Sequence, residues 1–482
     1  FGFYLEEISQ QAGIDFIHQS PKLDPRLNHV LPQIASMGAS ISICDFDRDG
    51  WKDLYLTNSN LDSKNVLYHN QKDGTFVDIA SKLGLDDVNV SGTGVSMGSI
   101  WGDYDNDGFE DIFIYKWGKP SLFRNLNGDT FENVTEKAGF PGWINANTAI
   151  WLDYNNDGYL DLFVGGYYRE DIDLWNLEST VIMPESFEYA KNGGRNYLFK
   201  NKGNGTFEDV TLEVKLTSTR WTLAAGAADL NGDGYQDLVI ANDYSVDEWL
   251  INQQGQSFSE IGKETGIGYT PKSGMNMSFG DIENSGMQSL YISNITEVGV
   301  LLQGNNLWTP SEGPGYPVYK NTARRKGVDL GGWSYGAQFG DLNNDGALDL
   351  YVANGFISGI KGSSYWYDYT KVTGGNKSII SDARNWPAME GKSQSGHQQN
   401  MIWLNDGSGN FLDASKDVCE EATFDSRSVA LADLWNRGVL DVIVASMNQG
   451  LLVYKNQVDT SNKWIAFSLE GTTSNKSAIG AT

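Results

Sequence analysis

Five stretches of this chain set oxygen-bearing side chains at alternate positions around a glycine. They are Asp45-Asp47-Asp49-Gly50-Asp53, Asp103-Asp105-Asp107-Gly108-Asp111, Asp153-Asn155-Asp157-Gly158-Asp161, Asp229-Asn231-Asp233-Gly234-Asp237 and Asp341-Asn343-Asp345-Gly346-Asp349. Counted from the first aspartate, positions 1, 3, 5 and 9 offer carboxylate or amide oxygen, and position 6 is glycine. Alternate side chains on a tightly turning loop converge, and glycine takes the sharp turn that a Cβ hinders. An all-oxygen set suits a hard cation, so calcium is the expected cofactor, at about five sites. Two further copies keep the frame and lose ligands: Asp281-Glu283-Ser285-Gly286-Ser289 and Asp433-Trp435-Arg437-Gly438-Asp441. Neither is expected to hold an ion, and in the second the Arg437 guanidinium is expected where the ion would sit.

The elements flanking the loops must position these oxygens. Ser99-Ile100-Trp101-Gly102 leads into one loop, and Ile112-Phe113-Ile114-Tyr115 leaves it. Such short apolar runs, rich in β-branched and aromatic residues, read as buried strands, so each ion would clamp a hairpin. A third strand ending in asparagine follows, as in Leu122-Phe123-Arg124-Asn125 and Tyr197-Leu198-Phe199-Lys200-Asn201. After a glycine turn comes an outer strand such as Thr206-Phe207-Glu208-Asp209-Val210, in which apolar and polar residues alternate. Seven units of four strands predict an all-β fold: a seven-bladed β-propeller with calcium-binding loops between the first and second strands of the blades. Pro310, Pro314 and Pro317 blur the third strand of the fifth unit.

Residues 1–456 are assigned to the propeller. Tyr4-Leu5-Glu6-Glu7-Ile8 mirrors the outer-strand stretch Phe76-Val77-Asp78-Ile79, and the last unit lacks a fourth strand. Residues 1–19 are therefore expected to complete the seventh blade and hide both sheet edges. Two insertions interrupt the period: Tyr168–Gly194, with Trp175, Met183, Phe187 and Tyr189, and Gly355–Gln399, with Tyr365, Trp366, Tyr367, Tyr369 and Trp386. Their aromatics admit two readings: anchors or stacking platforms for a partner, or a satellite core that covers the propeller.

Composition narrows the function classes. The 482-residue chain carries a net charge of −27, and five divalent ions would cancel a good part of it. No basic stripe exists, which disfavours a nucleic-acid partner; Arg324-Arg325-Lys326 reads as a solvated turn. The two cysteines, Cys44 and Cys419, do not make a disulfide scaffold, and a bridge between them has no support. No apolar run approaches about 20 residues, so no membrane span is expected. Weak calcium loops work where calcium is millimolar, which points to an exported protein: extracellular, cell-surface or periplasmic. The opening Phe1-Gly2-Phe3-Tyr4 suits a processed terminus.

The Asp-x-Asp-x-Asp-Gly-x-x-Asp loops, asparagine-ended third strands and Gly-Thr-Phe turns resemble FG-GAP/VCBS repeats. Trp333-Ser334-Tyr335-Gly336-Ala337-Gln338-Phe339-Gly340-Asp341 is similar to the cartilage acidic protein 1-like, ASPIC/UnbV family. The tail from Trp464-Ile465-Ala466-Phe467 to Ser477-Ala478-Ile479-Gly480-Ala481 resembles the opening of an ASPIC/UnbV domain, so 457–482 is assigned to an incomplete segment of that kind. The resemblance implies a calcium-stabilised extracellular propeller used for binding, and no substrate.

No catalytic constellation emerges. Gly94-Val95-Ser96-Met97-Gly98 spells a nucleophile elbow, but that motif needs a helix after its strand, and here a strand and a loop follow. His18, His29, His69 and His397 lack the spacing of a zinc or base–nucleophile site and read as structural. Aspartates held ionised by a metal suit no general acid. The expected function is a non-enzymatic, calcium-stabilised scaffold that engages a protein or glycan partner through its insertions or a propeller face. The alternative is a polysaccharide-binding or polysaccharide-active propeller stacking sugars on Trp366, Tyr367, Tyr369 and Trp386. A third reading is a subunit of a larger surface assembly.

Overall fold

Seven four-stranded antiparallel sheets organise the chain. The computed structural model describes residues 2–140, 142–311, 313, 316–419, 423–458 and 462–481. In the second blade the strands are Gly94–Gly102, Asp111–Gly118, Ser121–Leu126 and Thr130–Asn133, paired in sequence order. The first strands of successive blades touch one another all the way round, from Ile41–Cys44 to Ser426–Ala432 and back. The fold is thus an all-β seven-bladed propeller, with first strands lining the axis and fourth strands outermost.

Burial follows this order. The second strands Asp161–Gly166, Asp237–Asn242, Asp349–Asn354 and Asp441–Ser446 are buried along their whole length, as their unbroken apolar runs require. Outer strands such as Thr130–Asn133 are mostly exposed. The core lies between blades: Leu152, Phe163 and Leu198 of the third pack against Leu238, Ile240 and Leu250 of the fourth. No blade buries its faces alone, so the ring is the cooperative unit. Leu5–Glu7 pairs antiparallel with Leu452–Asn456 and supplies the outer strand of the seventh sheet.

Several expectations need correction. The fifth blade has a well-formed third strand, Asn306–Ser311, with Pro310 inside it and opposite Tyr319; Pro314 lies outside the described residues. The long second insertion contains short helices, Trp366–Thr373 and Lys377–Ile380, the latter capped by the Asn376 side chain. One-turn helices such as Ala80–Leu83 and Thr135–Ala138 follow the outer strands, each ended by a left-handed glycine, Gly84 or Gly139. Arg324 and Arg325 are exposed, but Lys326 is buried, with Nζ 2.6 Å from Glu283. Cys44 and Cys419 are not bridged.

Candidate metal centres and the opposite face

All seven loops share one turn. The first aspartate accepts the N–H of the position-6 glycine at 2.5–3.1 Å. Those glycines have φ between 72° and 98°, a region that favours glycine. The degenerate loops keep Asp281 with Gly286 and Asp433 with Gly438 because this bond shapes the hairpin with or without an ion.

The position-9 aspartates carry the electrostatic problem. Asp53, Asp111, Asp161, Asp237, Asp349 and Asp441 are fully buried. Each accepts the backbone N–H of the asparagine that ends the third strand, at 2.7–2.9 Å. Burial nevertheless drives their pKa upward: Asp53 and Asp161 to about 8, Asp237, Asp349 and Asp441 to about 7, and Asp111 well above the usual range. The adjacent loop aspartates add to the rise; at Asp53 they are Asp47, Asp49 and Asp45. In the first loop, Asp45 Oδ1 and Asp53 Oδ2 are buried with no hydrogen-bond donor among the described residues. An anionic oxygen so placed calls for a cation.

The first two loops fit a hard cation best. One oxygen each from Asp45, Asp47 and Asp53 lie within 4.8 Å of one another, and the same holds for Asp103, Asp105 and Asp111. Asp49 instead groups with Asp47 and His69, and Asp107 lies 3.0 Å from Arg124. In the third, fourth and sixth loops, Asn155, Asn231 and Asn343 donate to Asp157, Asp233 and Asp345 at 2.9–3.0 Å. Among the described residues no acidic triplet closes to 4.8 Å in those three loops. The seventh loop carries its own cation: Arg437 donates to Asp441 at 2.6 Å and to the Asn456 carbonyl at 3.1 Å.

Residues the motif reading passed over complete the site. The third-strand residue preceding the terminal asparagine is basic in four blades, as His69, Arg124, Lys200 and Lys455. The first three lean on loop carboxylates: His69 is 3.3 Å from Asp47, Arg124 is 2.5 Å from Asp105, and Lys200 is 3.7 Å from Asp157. The recurrence of this basic position was the available signal.

Two sets of asparagines tie the loops into a ring. Asn70, Asn125, Asn201, Asn252, Asn405 and Asn456 each donate through Nδ2 to the position-2 carbonyl of the preceding blade, at 2.7–2.9 Å. In the other direction, the position-4 residues Asn106, Asn156, Asn284, Asn344 and Asn436 donate to the position-6 carbonyl of the following blade, at 2.8–3.2 Å. Both ties are missing at one junction. Gly232 occupies position 4 of the fourth blade, and Pro310 stands where the fifth blade would carry its strand-ending asparagine. The losses in the fifth blade match: Pro310 has no N–H to give, and Ser289 replaces the carboxylate that would receive it.

The opposite ends of the strands carry the insertions. There Phe187, Trp221, Tyr244, Trp333, Tyr369 and Trp386 line a chamber of about 600 Å³. Below it an axial cavity of about 680 Å³ is lined by the first strands. Trp366 and Trp386 are buried and Tyr369 is half-buried, its ring 5.6 Å from each of theirs. The insertions therefore fold back as a cover; of the four aromatics proposed as sugar platforms, only Tyr367 is largely exposed, at 75%. Ser96 is buried inside its strand and bonded to Asn89. On the loop side the segment 462–481 crosses the ring: Lys476 N–H donates to Asn106, and Ser477 Oγ accepts from the backbone of Asp103.

Family comparison agrees with this geometry. The FG-GAP-like repeat family matches residues 45–114, 103–164, 189–240 and 229–292, three of these windows opening on the first aspartate of a loop. FG-GAP-like repeats thus run through residues 45–164 and 189–292 of the propeller. Of the chain, 109 residues are 36% identical to cartilage acidic protein 1 of Xenopus tropicalis, covering 22% of this chain and 16% of that protein. Against the Homo sapiens protein, 83 residues are 35% identical, covering 17% and 12%. The matched stretches span less than a fifth of the length of these relatives. Among solved structures, an Agrocybe aegerita lectin recognising non-reducing terminal N-acetylglucosamine aligns at TM-score 0.40 and 15% identity, over 80% of this chain and 83% of that one. BBS1N, solved in complex with ARL6DN, aligns at TM-score 0.46 and 7% identity, over 95% and 98%. Among the described residues of the propeller, no helix is long and apolar enough to cross a membrane.

Proposed function

We propose that this propeller is a calcium-stabilised, exported binding scaffold that engages another macromolecule and performs no catalysis itself. The observation that carries the metal is the first loop, where two buried carboxylate oxygens have no donor inside a closed aspartate triplet. Asp45, Asp47 and Asp53 would hold one ion, and Asp103, Asp105 and Asp111 a second. Asp153, Asp229 and Asp341, with their loop partners, would complete the set. The ion supplies positive charge to oxygens that burial would otherwise protonate. The binding role draws on the repeat family and on apolar side chains left at the surface: Ile465, Phe467 and Leu469 in the tail and Tyr189 and Tyr367 in the insertions. Calcium loops of this kind suit millimolar calcium, which favours an exported setting.

Calorimetric titration of the metal-stripped chain with calcium tests this reading. Saturable binding with a stoichiometry of about five supports ligation at every intact loop. A stoichiometry of about two restricts it to the all-aspartate loops. No saturable heat removes calcium from the account.

A further inference from the structure

The chamber on the face opposite the loops plays no part in the metal reading, and its chemistry is unlike that of the rest of the molecule. From its shape and charge we infer that it binds a small organic cation: an ammonium group on a compact apolar body.

Five observations carry this. The volume of about 600 Å³ is that of a small-molecule site. The wall is aromatic, and the negative faces of indole and phenol rings attract a cation that has shed its water. Among the described residues, those lining it include two acids, Asp243 at depth and the exposed Glu188, and no lysine, arginine or histidine. Asp243 is buried and receives a hydrogen bond from the Tyr167 hydroxyl at 2.8 Å, so its charge meets a neutral donor. Finally, the buried Oε1 of Gln33, another lining group, has no donor among the described residues, which an ammonium N–H would provide.

The protein already seats one cation against part of this wall. The Arg427 guanidinium lies 4.1 Å from the Tyr335 ring and 5.6 Å from that of Phe356, both rings of the chamber lining. Its donors are taken up by the carbonyls of Ser36, Gly355 and Phe356, and it borders the axial cavity. Asp243 is left without that counter-charge, and burial raises its pKa to about 7; a bound ammonium would draw it back to the carboxylate. Exposed Val300, Thr370 and Thr373, together with Glu188, give the chamber an open rim. A neutral sugar would meet the same rings but would leave Asp243 with no opposite charge.

The test compares two isosteres, cyclohexylmethylammonium and cyclohexylmethanol, titrated into the full chain in calcium with tryptophan fluorescence as the readout. The ammonium is expected to bind about tenfold tighter than the alcohol. Asp243→Asn, which keeps an acceptor for Tyr167, is expected to abolish that preference. Glu188→Gln, at the exposed rim, is expected to reduce it two- to threefold, about the effect of one screened charge, and serves should the first variant fail to fold. Equal affinity for the two probes, no saturable response to the ammonium, or tighter binding of N-acetylglucosamine than of either would each overturn the proposal.

Discussion

The two faces of this propeller are built on opposite principles. The loop face is periodic: one nine-residue device recurs around the ring, its oxygens placed by local turns, and asparagines tie the loops together at every junction but that of the fourth and fifth blades. The insertion face is aperiodic: Phe187, Trp333, Tyr369 and Trp386 come from distant parts of the chain and meet once, over the axis. Periodicity suits a task repeated identically, such as neutralising buried carboxylates. A chamber that recognises one shape requires the repeat to be broken. Charge divides the same way, with acid shared around the loops and a single buried carboxylate, Asp243, in the chamber.

The largest effect that breaks or sharpens this contrast is metal removal. Two occupied sites at a hundredfold excess over Kd contribute about 5 kcal/mol, so a chelator should lower the melting midpoint by about 5 °C or more. An unchanged midpoint in scanning calorimetry would make the loop face purely a hydrogen-bonded structure. Without metal the sign of the pH dependence is fixed by the raised aspartates. At Asp53 the folded pKa of about 8 stands above the ordinary aspartate value of 3.8, so the folded form retains protons that the unfolded chain releases. Stability of the stripped protein should therefore be full at low pH and fall as pH rises through 8, and the loss caused by chelator should be larger at pH 8 than at pH 6. A chelator effect that grew on acidification would contradict this.

Next in size is Arg437→Met, which leaves the fully buried Asp441 without its cation. We expect a loss of about 3 kcal/mol in urea melts that is equal with and without chelator, since this loop is read as metal-free. A chelator-dependent loss would show that the seventh loop also takes an ion. Asn201→Ala strips hydrogen bonds from the carbonyls of Tyr104 and Leu160 and should cost about 2–3 kcal/mol. The smallest effect is expected on the insertion face. Tyr367→Ala removes an exposed ring and should change stability by less than about 0.5 kcal/mol, whereas a stacking platform for sugars would reveal itself as lost glycan binding.

What the sequence made legible follows the same division. The loops, the blade number and the alternation of the strands could be read because each unit needs the same glycine, the same aspartates and the same apolar runs. Asn106 and Asn156 were harder: they sit inside a ligand motif, and only the ring shows that they reach across to Gly158 and Gly234. His69 and Arg124 were passed over because they approach the loops through strand pairing, far from the motif in sequence. The cover of the chamber was illegible beyond its aromatic content. Trp366 contacts Trp333 and Tyr369 contacts Phe187 through long-range packing that has no period, and no local pattern distinguishes such an inward cluster from an exposed platform.

The junction between the fourth and fifth blades is the weakest seam of the ring. A closed ring strained by thermal breathing parts where its clasps are fewest, and here both asparagine clasps are replaced, by Gly232 and Pro310. Water should reach this wedge before any other, so deuterium should enter the amides flanking Leu230 and Ser289 ahead of their counterparts near Tyr154 and Asp349. The molecule would then behave as a broken bracelet with a preferred gap.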